Sequence, residues 1–443
     1  MQSLECHGPE RGGRTLPGEV TDNIIDHLYG DTKTLLATAL VCRSWLPASQ
    51  NNLFYITTCQ PPAKGLMEFV AWSSLAQYAL AQITILIIES NFREYISGDT
   101  QLPAIRVQDV EIAIERLPSL GALILRGVTL TSRIPAGGLY QPSPRRTLEF
   151  LKFWMVATAD STFYPILHFL SLFSQVDILD IDNLECTWNP DSAPISSLCL
   201  ASPNPHALAV NELVLASACL DGRRNGYDGI VHLFHHTQPK WQLKKLMLAC
   251  NGMQIEEVLG EFLPDCQESL TWLGISTPLC LSPNDTPADS QVSSLRHCHL
   301  LETLDLYFTI MPVLPEADIY MFCDQELALN SAILLAAPPT LRMVRITFVD
   351  AEKCDSDTIG SLARLSNWGR LDDALCRLEH AEVVCMMAQD FGVVLDNSAR
   401  TGLLELAFET IGGDSDERMP LLKRVLPMTQ ASGRLKFQTL SVG

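Results

Sequence analysis

One spacing recurs along this chain: an apolar residue, two others, an apolar residue, one other, an apolar residue. Leu243, Leu246 and Leu248, followed by Asn251, form the clearest copy. Further copies begin at Leu80, Leu120, Leu148, Val176, Val210, Leu270, Leu301, Leu341, Leu375 and Leu403, at intervals of 27 to 40 residues. The spacing alone is a weak signal, since if about a third of residues suit each slot, about one position in 27 matches by chance. What precedes the copies strengthens it. In "VQDVEIAIERLPSL", Val107, Val110, Ile114 and Leu117 share one helical face, and Pro118 stops the helix before the strand. Ile255, Val258, Leu259 and Phe262 with Pro264 repeat the arrangement, and Pro239 and Pro339 also sit shortly before copies. A helix, a break and a short strand form a unit that cannot bury its apolar face alone. Stacked neighbours bury it jointly.

With Asn251 in place, the best copy matches the signature L-x-x-L-x-L-x-x-N and resembles a leucine-rich repeat. The copies predict one irregular α/β solenoid with a mainly parallel sheet over residues 74–443. Ordinary repeats of that kind run about 20–29 residues, so this array is stretched. Slots three, five and seven of each copy should leave the core, because side chains alternate along a strand. That surface would carry Lys152, Trp154, Asp180, Asp182, Trp272, Asp305, Tyr307 and Arg345. Trp154, Trp272, Tyr307 and Arg345 are the candidate target-binding residues, since aromatics and Arg make binding hot spots. In a shifted register Trp154 and Trp272 would instead belong to the core. A doubly wound sheet is the competing arrangement, but no glycine-rich phosphate loop follows any strand.

The first sixty residues differ. Pro17 can open a helix whose Val20, Ile24 and Leu28 share one face. Gly30 ends it and Asp31 can cap a second helix, on which Leu36 and Leu40, and Leu35 and Ala39, are four apart. A third should begin near Arg43, with Pro47 in its first turn and Trp45 turned inward. Three short helices bury little surface, so the unit should lean on a partner or on the rest of the chain. The stretch "LPGEVTDNIIDHL…LLATALVCRSW" resembles the F-box, in the F-box-like form abundant in mushroom-forming fungi. Leu16, Pro17, Glu19, Ile24, Ile25, Leu28, Val41, Cys42, Arg43 and Trp45 carry the resemblance. It covers residues 15–58, with a linker over 59–73. The resemblance implies docking to a Skp-type adaptor and, through it, to a cullin-based ubiquitin ligase. The adaptor-binding candidates are Leu16, Pro17, Ile24, Ile25, Leu28, Leu36, Leu40, Val41 and Trp45. Which of them are core and which interface is left open by the sequence.

A net charge of −20 argues against a general nucleic-acid binder. The apolar run at 79–88 is too short to cross a bilayer as a helix, and no membrane partner is expected. No apolar leader is visible at the N-terminus. Fourteen cysteines without a C-x-x-C pair point to buried thiols in a reducing compartment, cytoplasmic or nuclear. Other candidate chemistry is thin. His232, His235 and His236 lack a Glu between them and a fourth ligand, and "HCH" at 297–299 offers two ligands only. "GGDSDE" at 412–417 is no complete calcium loop. Asp180 and Asp182 share a strand face and read as an exposed polar patch rather than an acid–base pair. No cofactor or metal is expected, and Cys42 reads as packing rather than as a nucleophile. The expected function is therefore a non-catalytic substrate receptor. Its helices would dock the adaptor, and its solenoid an unidentified target protein. A repeat scaffold without a ubiquitin role, or an enzyme with a cryptic site, are the alternatives.

Overall fold

The computed structural model describes residues 16–61, 65–73, 77–90, 102–132, 146–187, 208–216, 242–249, 259–260, 262–276, 292–310, 316–350, 364–388 and 424–438. Thirteen strands form one open sheet: β1 (Ile56–Cys59), β2 (Ile85–Glu89), β3 (Ala104–Arg106), β4 (Ala122–Thr131), β5 (Arg146–Thr162), β6 (Phe173–Thr187), β7 (Ala209–Ala216), β8 (Lys245–Ala249), β9 (Trp272–Ser276), β10 (Thr303–Ile310), β11 (Met343–Asp350), β12 (Glu382–Ala388) and β13 (Leu435–Gln438). Each pairs with its neighbour in chain order, except that β3 lies beside the far half of β4. Every pairing among the described residues is parallel. This is the α/β solenoid that the recurring spacing predicts.

The repeat explains the register. Leu86, Leu123, Leu151, Leu179, Leu213, Leu246, Leu273, Leu304, Val344 and Val383 stand in one row across adjacent strands. Two residues on, Ile88, Leu125, Phe153, Ile181, Leu215, Leu248, Ile275, Leu306, Ile346 and Cys385 form a second row. Both rows are buried. Each such side chain contributes about 1.5–3 kcal/mol on burial, and a slip of one residue would turn a whole row outward. Copies beginning at Leu120, Leu148, Val176, Val210, Leu243, Leu270, Leu301 and Leu341 are in the observed register. The copy at Leu80 is three residues early, since Ile83, Leu86 and Ile88 fill its slots. The copy at Leu375 is wrong because that leucine is buried on a helix, and the strand there begins at Glu382. Leu403 lies outside the described residues.

Helices cover one face. Val107, Val110, Ala113 and Ile114 of Val107–Glu115 join the core, as do Ile166, Phe169 and Leu170 of Tyr164–Leu170. Further along, Leu327, Ile333 and Leu334 of Glu316–Ala336 and Leu371, Ala374 and Leu375 of Trp368–Arg377 do the same. Arginines tie helix ends to the structure around them. Arg116 donates to the Val70 carbonyl (2.5 Å), Arg146 to those of Leu117 (2.5 Å) and Glu115 (3.0 Å), and Arg434 to those of Leu375, Cys376 and Leu378. These satisfy carbonyls that a helix end leaves without partners.

The N-terminal unit has helices α1 (Gly18–Asp26), α2 (Thr32–Ala39) and α3 (Leu46–Phe54). Gly30 takes a positive φ of 89°, and the Asp31 carboxylate accepts from Thr34 N–H at 3.0 Å, as the capping pattern predicts. Pro47 lies in the first turn of α3. Buried Thr38 and Ser49 hydroxyls meet at 3.0 Å between α2 and α3, and Asn52 donates to Asp26 at 2.8 Å. The unit merges with the sheet: α3 runs into β1, and Phe54 packs against the main core. The sheet therefore begins at Ile56, ahead of residue 74. The second half of the expected linker is a helix, Leu66–Ser73, whose Leu66, Phe69 and Val70 are buried.

Candidate functional site

Slots three, five and seven make the face opposite the described helices. Slot five reads Lys152, Asp180, Val214, Met247, Gly274, Asp305 and Arg345 across β5 to β11. Slot seven reads Glu89, Arg126, Trp154, Asp182, Ala216, Ala249, Ser276, Tyr307 and Thr347 from β2 to β11. Trp154 and Trp272 are thus on this face and outside the helix-covered core.

Two clusters stand on it, separated by small and apolar residues. In the first, Lys152 Nζ lies 2.9 Å from Asp180 Oδ2, and the two side chains are 8% and 1% exposed. Lys152 reaches Oδ2 alone, and no donor lies within hydrogen-bonding reach of Oδ1 among the described residues. Burial raises the Asp180 carboxyl above its usual range, against the pull of Lys152. Asp182 is pushed up to about 6 by burial and then by Asp180, with Lys152 opposing. Beside them the Arg126 guanidinium stacks 3.6 Å from the Trp154 ring centroid and lies 3.6 Å from Glu89. The expectation of an exposed acidic patch is corrected here. The neighbouring strands crowd Asp180, and its counter-ion comes from β5.

A backbone device sits under this cluster. Gly127, Met155 and Asn183 have φ of 60°, 52° and 57°. They are in line, because Arg126, Trp154 and Asp182 pair just before them and Val128, Val156 and Leu184 just after. The inserted left-handed residue resets the alternation, so Leu125 and Val128, or Phe153 and Val156, all face the core despite a spacing of three. Arg126, Trp154 and Asp182 therefore stand at the rim of a bend shared by three strands.

In the second cluster, Trp272 Nε1 donates to Asp305 Oδ2 at 3.0 Å, and Arg345 Nη1 lies 3.4 Å from the same oxygen. Burial pushes Asp305 up to about 6, with Arg345 and Trp272 pulling it down. Gly274 makes the arrangement possible. A β-carbon there would come within 2.5 Å of Met247 Sδ and 2.6 Å of the Trp272 ring. Trp154, Trp272 and Arg345 are half-buried. Tyr307 is 2% exposed and its hydroxyl is raised by burial, so it supports this surface more than it presents itself.

The adaptor-binding candidates sort cleanly. Ile25 is fully buried, and Leu28 and Trp45 are half-buried. Leu16, Pro17, Ile24, Leu36, Leu40 and Val41 are exposed, Leu40 at 87%. The face bearing Val20 and Ile24 points outward, because Thr21 and Ile25 are the residues α1 buries. On α2, Leu35 takes the inner position that leaves Leu36 outside.

Sequence reasoning missed one contact. Ser132 Oγ lies 2.7 Å from His168 Nδ1, and burial holds that imidazole below its usual range. Nothing in the local sequence joins two residues 36 apart. Among the described residues no group of three His, Cys, Asp or Glu can hold a metal ion. Of the described cysteines, none is in a disulfide; Cys59, Cys266, Cys298, Cys323 and Cys385 are buried, Cys376 is half-buried and Cys42 is exposed. No described helix is long and apolar enough to cross a membrane. The histidines at 232–236, the acidic stretch at 412–417 and the repeat residues Ile255 and Val258 lie outside the described residues.

The chain is an open α/β solenoid. No family model matches it, and no curated protein does. A leucine-rich-repeat-containing protein, LegL7 from Legionella pneumophila, is similar at a TM-score of 0.37 and 12% identity, over 84% of this chain and 98% of that one. At that score the likeness adds nothing to the argument, which rests on the parallel sheet and its register. Solenoids of this architecture use their extended open surface for protein recognition.

Proposed function

We propose that the chain is a substrate receptor of a cullin-type ubiquitin ligase. Its N-terminal helices dock a Skp-type adaptor, and its sheet face holds a target protein. The resemblance of residues 15–58 to F-box-like domains supports the adaptor half. The observation that carries it is the outward apolar set of Leu16, Val20, Ile24, Leu36, Leu40 and Val41 on a unit of three short helices. Large apolar residues gathered on so small a unit mark an interaction surface more often than they cover a monomer. The target half rests on the aromatic and Arg content of the sheet face. The receptor does no chemistry itself. Tethering raises the effective concentration of the target near the transfer machinery.

The test is co-purification of full-length protein with a Skp-type adaptor from the same cell. Leu36→Ser and Leu40→Ser, at exposed positions, should change stability by less than about 0.5 kcal/mol and abolish capture. Wild-type protein that captures no adaptor, or a folded double variant that captures it as well as wild type, rejects the ligase role. A protein-interaction scaffold would then remain.

A further inference from the structure

The acids and bases of the sheet face pair across neighbouring strands. Glu89 lies 3.6 Å from Arg126, Asp180 2.9 Å from Lys152, Glu212 3.1 Å from Lys245, Asp305 3.4 Å from Arg345, and Glu382 2.8 Å from Lys436. Asp182 breaks the pattern. Its register neighbours are Trp154 on β5 and Ala216 on β7, so no basic residue flanks it at its own level. Two residues back on the same face, Asp180 is 1% exposed, and its Oδ1 has no hydrogen-bond partner. Lys152 approaches only Oδ2. Two carboxylates thus share one ammonium, and one negative charge is left over beside an indole. Half-buried carboxylates without a counter-ion are costly.

We propose that Asp182, backed by Asp180, receives a lysine or arginine side chain of a bound polypeptide on the rim between Trp154 and Ala216. The inference rests on the reading of this face as the target surface and names the chemistry of the target. The net charge of −20 attracts a basic segment at long range, and the local carboxylate excess fixes where its cation docks. A guanidinium suits the site best, because it can bond two carboxylate oxygens at once and lies flat along an aromatic ring. Burial and Asp180 hold Asp182 at about 6 in the free protein. Binding a cation requires its ionised form, so affinity should strengthen as pH rises from 5 to 7.

The experiment selects peptides from a random display library on full-length protein, at physiological salt. Winners are then measured against wild type and Asp182→Asn, each as the arginine or lysine form and with that residue replaced by citrulline or norleucine. Asp182→Asn keeps the shape and removes the repulsion from Asp180, so it should fold. The expected result is a basic residue in every peptide that Trp154→Ala weakens. Neutralising it should cost wild type at least tenfold and Asp182→Asn less than twofold. Peptides that Trp154→Ala weakens but that bind Asp182→Asn equally well would overturn the cation site while leaving the target face standing. A selection that yields no peptide sensitive to Trp154→Ala would overturn both. A concentration-dependent dimer abolished by Asp182→Arg would show a second copy on this face and would also overturn the proposal.

Discussion

Lys152→Met should destabilise the protein by up to about 3–4 kcal/mol at pH 7 and by no more than about 1–2 kcal/mol at pH 5, less whatever part the raised wild-type carboxyl already bears. At 2.9 Å the Lys152–Asp180 attraction is about 6 kcal/mol at an effective dielectric of about 20. Desolvating each ion costs several kcal/mol, so the intact pair is worth little net. Its removal by halves is another matter. Methionine fills the lysine's volume but leaves Asp180 buried beside Asp182, where a lone carboxylate is untenable. The carboxyl then takes up a proton. Against an ordinary value of 3.8, that uptake costs about 4 kcal/mol at pH 7 and about 1.6 kcal/mol at pH 5. The destabilisation should therefore shrink with acid. Lys152→Met combined with Asp180→Asn should recover to within about 1–2 kcal/mol of wild type and lose the pH dependence. Urea unfolding followed by tryptophan fluorescence at both pH values measures this, with an unchanged m-value as the check on comparable states. A cost that is equal at the two pH values, or below about 1 kcal/mol at pH 7, would refute the reasoning.

Asp305 supplies a pH test of its own. Its folded value of about 6 lies above the ordinary 3.8, so between these values the folded chain holds a proton that the unfolded chain has released. The contribution is therefore fully present below pH 4 and is lost as pH rises to about 6, by about 3 kcal/mol. The stability of wild type relative to Asp305→Asn should fall by about that amount between pH 4 and pH 7 in paired urea titrations, and a constant or rising difference would contradict the burial of this carboxyl. Gly127→Ala should cost about 1–2 kcal/mol, because alanine at φ 60° is strained and the shared bend of β4, β5 and β6 cannot relax one strand alone. Chemical denaturation checks it, and a neutral result would mean that the left-handed column is not required.

How much was legible varied with the range of the interactions. The eight copies from Leu120 to Leu341 gave the register because the same two rows of side chains fill the core in strand after strand. The copy at Leu375 failed because a leucine on the inner face of a helix satisfies the same spacing as one on a strand. The positions of Lys152, Asp180, Trp154 and Arg345 on one face followed from alternation. The state of the acids did not: Asp180 read as a solvated acid, and only its neighbours on β5 and β7 make it a buried ion.

The N-terminal unit divides the same way. Its spacing placed three helices, the Gly30 turn and the Asp31 cap, since these depend on residues within four of one another. Which apolar residues point inward depended on where α3 and the first strand lie, and so Ile25 and Leu35 became core while Ile24, Leu36 and Leu40 stayed outside. Likewise no local feature announces that Gly127, Met155 and Asn183 stand in line, nor that Asp182 faces Trp154 and Ala216 instead of a base. Periodicity is a property of one strand or one helix, and the sequence carries it complete. Charge pairing, burial and shared bends are properties of neighbours about 27 to 54 residues apart in the chain, and only the stacked sheet brings those neighbours within reach.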